Sequence, residues 1–171
     1  MPADALAGCV CRDRFRRELL GLGPGVAEIV VVADAHPDCC LVNSAHYLHA
    51  LARAGRDREV AAAQAAIEAA VAGTDGDEAR VWRAVGLPLV EAALAFARRD
   101  HAAAVRRLEP IAGDLWQAGG SDAQVDMFRQ TYLVGLIETG ERSAARAFLD
   151  AALVVPGSAA TPLQERWRAR L

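Results

Sequence analysis

Two stretches of this chain carry residue types that could do chemistry. The first is Gly119-Gly120-Ser121-Asp122-Ala123-Gln124-Val125-Asp126, where paired glycines run into a serine and two carboxylates. Glycines ahead of a helix can cradle a phosphate on backbone N–H groups, and carboxylates can hold a hard cation. A phosphate loop leaves its helix start free for the anion, whereas here Ser121 and Asp122 already occupy it. Ser121 reads as a helix cap, Gln124 reaches back to complete a capping box, and Asp122 meets the positive end of the helix dipole. The stretch is therefore expected to be a joint between helices, with Gly119 and Gly120 ending the first in left-handed backbone.

The second is a histidine and cysteine group: His36, Cys39, Cys40, His46 and His49, with Cys9 and Cys11 upstream. His46 and His49 can face one ion from a single helix, and thiolate with imidazole suits zinc. Neither a Cys-x-x-Cys pair nor a His-Glu-x-x-His motif is present. The expectation is that Cys39 and Cys40 are small buried thiols near a helix start and that the histidines sit on a groove or interface. Nucleophilic and acid–base chemistry has less support still. Ser44 and Ser143 fall within predicted helices, Cys40 lacks a defensible His partner, and Glu91, Glu109 and Glu138 are spread over separate helices. Asp122 and Asp126 are already explained by the helix dipole. No triad, dyad or cofactor loop emerges, so no catalysis, metal or cofactor is expected.

What must position these residues is helical. The 171 residues include 38 alanines, the best helix former and a poor strand former, and suffice for one domain with a core. Residues 41 to 54 place Val42, Ala45, Leu48 and Ala52 at helical spacing, and Gly55 ends the helix. Residues 57 to 73 start on Asp57 as a cap and return antiparallel. Residues 78 to 98 continue the pattern with a kink or restart expected near Leu87 ahead of Pro88, and 100 to 117 with a second kink at Pro110. Residues 122 to 139 and 141 to 154 pair across Gly140. The last helix opens on Thr161, Pro162 and Gln164, a capping box with proline at the first position. In residues 1 to 38, "VAEIVVVADA" reads as helix, since a lone strand would have no partner.

All 19 basic residues are arginine, and the net charge of −3 with pI near 5.8 lacks the surplus that nucleic-acid binding needs. No apolar run is long enough to span a bilayer. Leu6-Ala7-Gly8-Cys9 looks like a lipoprotein cleavage box, but "MPADA" supplies neither the basic nor the apolar segment of an export signal. A cytoplasmic protein with reduced cysteines is expected.

The turn segments "LARAGRDREVAAA", "LAFARRDHAAAVRRL" and "LIETGERSAARAFL" repeat, with Gly55, Arg99 and Gly140 in register. Such hairpins cannot bury a face alone and stack into a solenoid. The expected fold is all-α: a tetratricopeptide-like solenoid of αα-hairpins in a right-handed superhelix. Its pairs span 39–73, 77–118 and 121–155, with an N-terminal helical segment at 1–38 and a capping helix at 160–171, all in one domain.

Residues 82 to 155 resemble the C-terminal part of the tetratricopeptide repeat protein 38 family. The resemblance is carried by "LPLVEAALAFARRDHAAAVRRLEPI", "GGSDAQVDMFRQTYL" and "ETGERSAARAFLDAAL". The family's middle motif reads glycine-glycine-serine-histidine-alanine-glutamine-arginine-aspartate. Gly119, Gly120, Ser121, Ala123, Gln124 and Asp126 match it; Asp122 and Val125 stand where the family has histidine and arginine, so any role of those two side chains is not carried over. The family is typically much longer, so the resemblance implies a shortened member or a fragment, with a helical-repeat fold and no activity to inherit.

Trp82, Trp116, Phe128, Tyr132, Phe148 and Trp167 fall where packing wants bulk and are expected in the core. Phe96 instead shares a phase with His49, Ala93, Gln130 and Ile137 on the side that lines the concave face of such solenoids. That face is expected to be largely apolar, suited to a peptide or helix rather than an anionic tail. The expected function is non-catalytic protein interaction or scaffolding, with self-association through uncapped ends. The rival is a metal- or small-molecule-binding accessory protein using the cluster at 36–49.

Overall fold

The computed structural model describes residues 41–152 and 161–171, and these are helical with no strand among them. The elements are α1 (Leu41–Arg53), α2 (Asp57–Ala72), α3 (Gly76–Val81), α4 (Leu87–Ala97), α5 (His101–Leu108), α6 (Asp122–Glu138), α7 (Arg142–Ala152) and α8 (Pro162–Arg170). The expectations for residues 1–38, including "VAEIVVVADA", lie outside the described residues, as do residues 153–160 between the last two helices. No helix among those described is long and apolar enough to cross a membrane.

Three hairpins close on turns of one geometry. Gly55, Arg99 and Gly140 all take left-handed backbone, at φ 70°, 65° and 83°. In each, the next N–H reaches back over the helix end: Arg56 to the Leu51 carbonyl, Asp100 to that of Ala95, Glu141 to that of Leu136, at 3.0, 2.9 and 2.8 Å. These bonds satisfy carbonyls that a helix end otherwise leaves orphaned. The positions in register in the sequence are thus structurally equivalent, although one of them is an arginine.

The first helices of the hairpins run the same way. His49 of α1 meets Ala93 and Phe96 of α4, while Asn43 and His46 of α1 meet Gln124 and Phe128 of α6. Contacts rising together in residue number make α1 and α6 parallel, and the C-terminal residues of α4 meet those of α1 and α6 at one end. The core lies between α1, α4, α5 and α6, with Leu48, Leu51, Leu89, Leu108, Leu133 and Leu136 fully buried and Leu149 of α7 joining them. Small residues let the axes approach: a Cβ built on Gly135 of α6 would lie 2.8 Å from Val105 Cγ2 of α5.

Several sequence expectations are corrected. Asp57 is the first helical residue of α2 rather than its cap. Arg56 holds the cap position, and its guanidinium Nε donates to Glu59 Oε1 at 2.8 Å. The restart expected near Leu87 ahead of Pro88 is, by contrast, present: Trp82–Gly86 widens to a π-turn in which the Leu87 N–H bonds the Trp82 carbonyl, and α4 begins at Leu87, which relieves the clash a proline ring makes with the turn before it. Pro110 ends α5 instead of bending it. Short 3-10 turns follow at Glu109–Ile111 and Leu115–Ala118. In the second turn Leu115 and Ala118, three residues apart, share the buried side, so Trp116 points outward at 65 % exposure instead of entering the core.

The Gly119–Asp126 stretch is a joint. Gly119 and Gly120 have φ 76° and 86°. Gln124 Oε1 accepts the Ser121 N–H at 2.9 Å, the return arm of the expected box. The Gln124 N–H goes to the Ser121 carbonyl, and its side-chain amide donates to Asn43 Oδ1 of α1 at 3.3 Å. The cap of α6 therefore also ties the third hairpin to the first.

α8 opens on the expected capping box with proline at its first position. Thr161 Oγ1 accepts the Gln164 N–H, and the Thr161 N–H donates to Gln164 Oε1. The helix is held by Arg168 to Asp150 and Arg170 to Glu138, both at 3.0 Å, and by a half-buried Trp167 beneath Arg170.

Candidate functional site

Because α1 touches α6 at their N-terminal ends, the face shared by the first helices is closed at one end and open at the other. A groove of about 370 Å³ sits at the open end, where the C-termini of α1, α4 and α6 converge. Phe96 of α4 and Val134 of α6 give it apolar walls, with His49 of α1 and His101 at the start of α5 beside them. Arg53, Arg99 and Glu138 form its charged rim.

The five residues expected on the concave face divide here. His49 and Phe96 line the groove. Ala93 is buried at 3 % exposure, and its carbonyl accepts the His49 Nδ1–H at 3.2 Å, so it orients the histidine and offers no surface of its own. Gln130 stands one turn before Val134 on the same stripe of α6, but its amide is bonded to Asp126 Oδ2 at 2.7 Å. Ile137 is half-buried against the core, because one residue back from Glu138 turns a side chain about 100° around the helix.

Sequence phase missed Arg53, Arg99, His101, Val134 and Glu138. Their presence makes the groove more basic than the apolar face expected. Glu138 is engaged by Arg170 of α8. Arg98, next to Arg99 in the chain, pairs with Asp57 at 3.6 Å. Arg53 and Arg99 have no carboxylate partner among the described residues.

Arg99 is the one described non-glycine residue with positive φ. Left-handed backbone costs a side-chain-bearing residue about 1–2 kcal/mol, partly offset because glycine loses more entropy on folding. Arg99→Gly should therefore raise stability by roughly 0.5–1 kcal/mol, read as a higher urea midpoint with an unchanged slope.

The zinc reading finds no support in the two histidines that are described. The His46 ring stacks on Phe128, 4.7 Å between centroids, while His49 bonds Ala93 and lies 6.2 Å from the Phe96 ring. Among the described residues no group of three or more His, Cys, Asp or Glu is placed to hold a metal ion; His36, Cys9, Cys11, Cys39 and Cys40 lie outside them.

Burial pushes both histidines below their ordinary range. In each, a hydrogen bond that the ring donates to a backbone carbonyl, of Val42 and Ala93 respectively, opposes the shift, and repulsion from His49 on His46 and from Arg53 on His49 adds to it. The unfolded chain therefore binds more protons than the folded one below the ordinary histidine value of 6.5. Stability is full above that value and falls as pH drops through it toward the lowered folded values. Urea midpoints should decline from pH 7.5 to 5.5, ahead of the carboxylate range, and His46→Phe should flatten part of that decline.

No protein-family model and no solved structure matches this chain.

Proposed function

We propose that the protein is a non-catalytic interaction module, a tetratricopeptide-like stack of three helical hairpins related to the tetratricopeptide repeat protein 38 family, acting in the cytoplasm. Its groove receives a peptide or helix from a partner protein. The repeat reading is supported by the three turns of one geometry and by first helices that run parallel. The binding reading is carried by the groove itself, in which an aromatic and an aliphatic wall stand beside arginines that no described carboxylate pairs with. Concave faces of stacked hairpins are common sites for peptide docking.

A photo-crosslinking residue at Val134, expressed in the source cell, tests this. A discrete protein adduct that disappears with Phe96→Asp supports the reading. Absence of any adduct, or one indifferent to Phe96→Asp, sinks it.

A further inference from the structure

The bland account of Arg53 and Arg99 is that cations at helix C-termini offset the helix dipole. It accounts for Arg53, which closes α1. It does not account for Arg99. Arg98 already supplies a cation at the end of α4, and the hairpins on either side use glycine at the equivalent turn position. An arginine there holds a strained backbone that glycine would relieve, and its guanidinium is placed on the groove rim without a carboxylate partner among the described residues. Strained non-glycine residues gather where a surrounding structure uses them.

The other charges agree. Glu138, the one carboxylate on the rim among the described residues, is drawn off by Arg170, so among these residues no other anion competes for the two guanidinium groups in the groove. His49 donates its Nδ1–H inward to Ala93, and the Phe96 and Val134 walls provide low-dielectric surface beside the charges. A forked guanidinium on such a rim is suited to a carboxylate.

We propose that the groove selects an acidic protein segment, a helix whose side-chain carboxylates reach Arg53 and Arg99 while an aliphatic side chain between them rests on Phe96 and Val134. This inference rests on the peptide-binding reading above and narrows it to one ligand chemistry.

The test uses two fluorescent helical peptides, acetylated and amidated so that neither end is charged. One carries glutamates at i and i+4 flanking a leucine, and the other carries glutamines in their place. The full chain should bind the glutamate peptide with an affinity that falls steeply with salt, and the glutamine peptide about tenfold or more weakly, the loss of a charge-assisted hydrogen bond. Arg53→Gln and Arg99→Gly should each lose a similar factor. Arg99→Gly is the decisive variant, because it should fold more stably, and with a raised urea midpoint its loss of binding cannot be ascribed to misfolding. Equal binding of both peptides overturns the carboxylate preference and leaves the peptide-binding reading standing. Binding of neither overturns the acidic-segment proposal, while the Val134 adduct judges the broader reading separately. Glutamate binding undiminished in Arg53→Gln and Arg99→Gly also overturns it, since the charge would then be met elsewhere.

Discussion

Phe128→Ala should destabilise the protein by about 3–5 kcal/mol, the range for truncating a buried phenylalanine. Phe128 is 5 % exposed and its ring lies against His46, so it fills the contact through which α6 reaches α1. Removing it leaves a hole that rigid neighbours on two helices cannot close, and it exposes one side of a histidine now held neutral by burial. Two effects should follow together. The urea midpoint drops at neutral pH, and the further decline between pH 7.5 and 5.5 shrinks, because a solvated His46 takes up its proton in the folded state almost as readily as in the unfolded one. The neighbouring Met127, 45 % exposed, supplies the control: Met127→Ala should change stability by less than about 0.5 kcal/mol. A Phe128→Ala cost no larger than that control would show that the first and third hairpins do not lean on one another.

That contact also marks where sequence stops being legible. Turns were readable because their chemistry is local: Gly55 and Gly140 at helix ends, Gly119-Gly120 before a cap, Thr161-Pro162 with Gln164 at a helix start. Arg99 became readable only through its register with the two glycines, since nothing about arginine announces positive φ. Asp57 was misread because an aspartate beside a helix start serves equally as cap or as first-turn anion, and only the backbone decides. Trp116 was misplaced because Pro110 ended α5 and the following 3-10 turns reset which residues face inward.

The groove shows the same division. Phase along single helices found His49 and Phe96, which lie mid-face. It missed Arg53, Arg99 and His101, which reach the groove only because three hairpin turns converge at one end, a consequence of packing rather than periodicity. Gln130 could have been discounted from sequence, since an aspartate four residues earlier on a helix is a ready partner for its amide. Ala93 could not, because its burial depends on how closely α1 and α4 approach.

Close approach carries the other large prediction. Gly135→Ala, placed within a helix, should stabilise it by about 1 kcal/mol on propensity alone. Instead it should leave the protein no more stable and up to about 2 kcal/mol less stable, because overpacking a tight helix contact costs about 1–3 kcal/mol. The added methyl would stand 2.8 Å from Val105 Cγ2, and a β-branched valine fixed on α5 has little rotamer freedom with which to withdraw. The cost is relieved only if α6 moves off α5, which carries Val134 and Glu138 away from His101 and widens the groove. Val105→Ala supplies the space directly. In the double variant the helix-propensity gain at residue 135 should reappear, making it more stable than the sum of the two single changes by roughly 1–2 kcal/mol, a coupling expected only of residues in contact. Strict additivity would mean that α5 and α6 are not packed through Gly135. With coupling present, glutamate-peptide affinity should fall in Gly135→Ala and recover in the double variant, because the distance between these two helices sets the width of the groove as well as the packing beneath it.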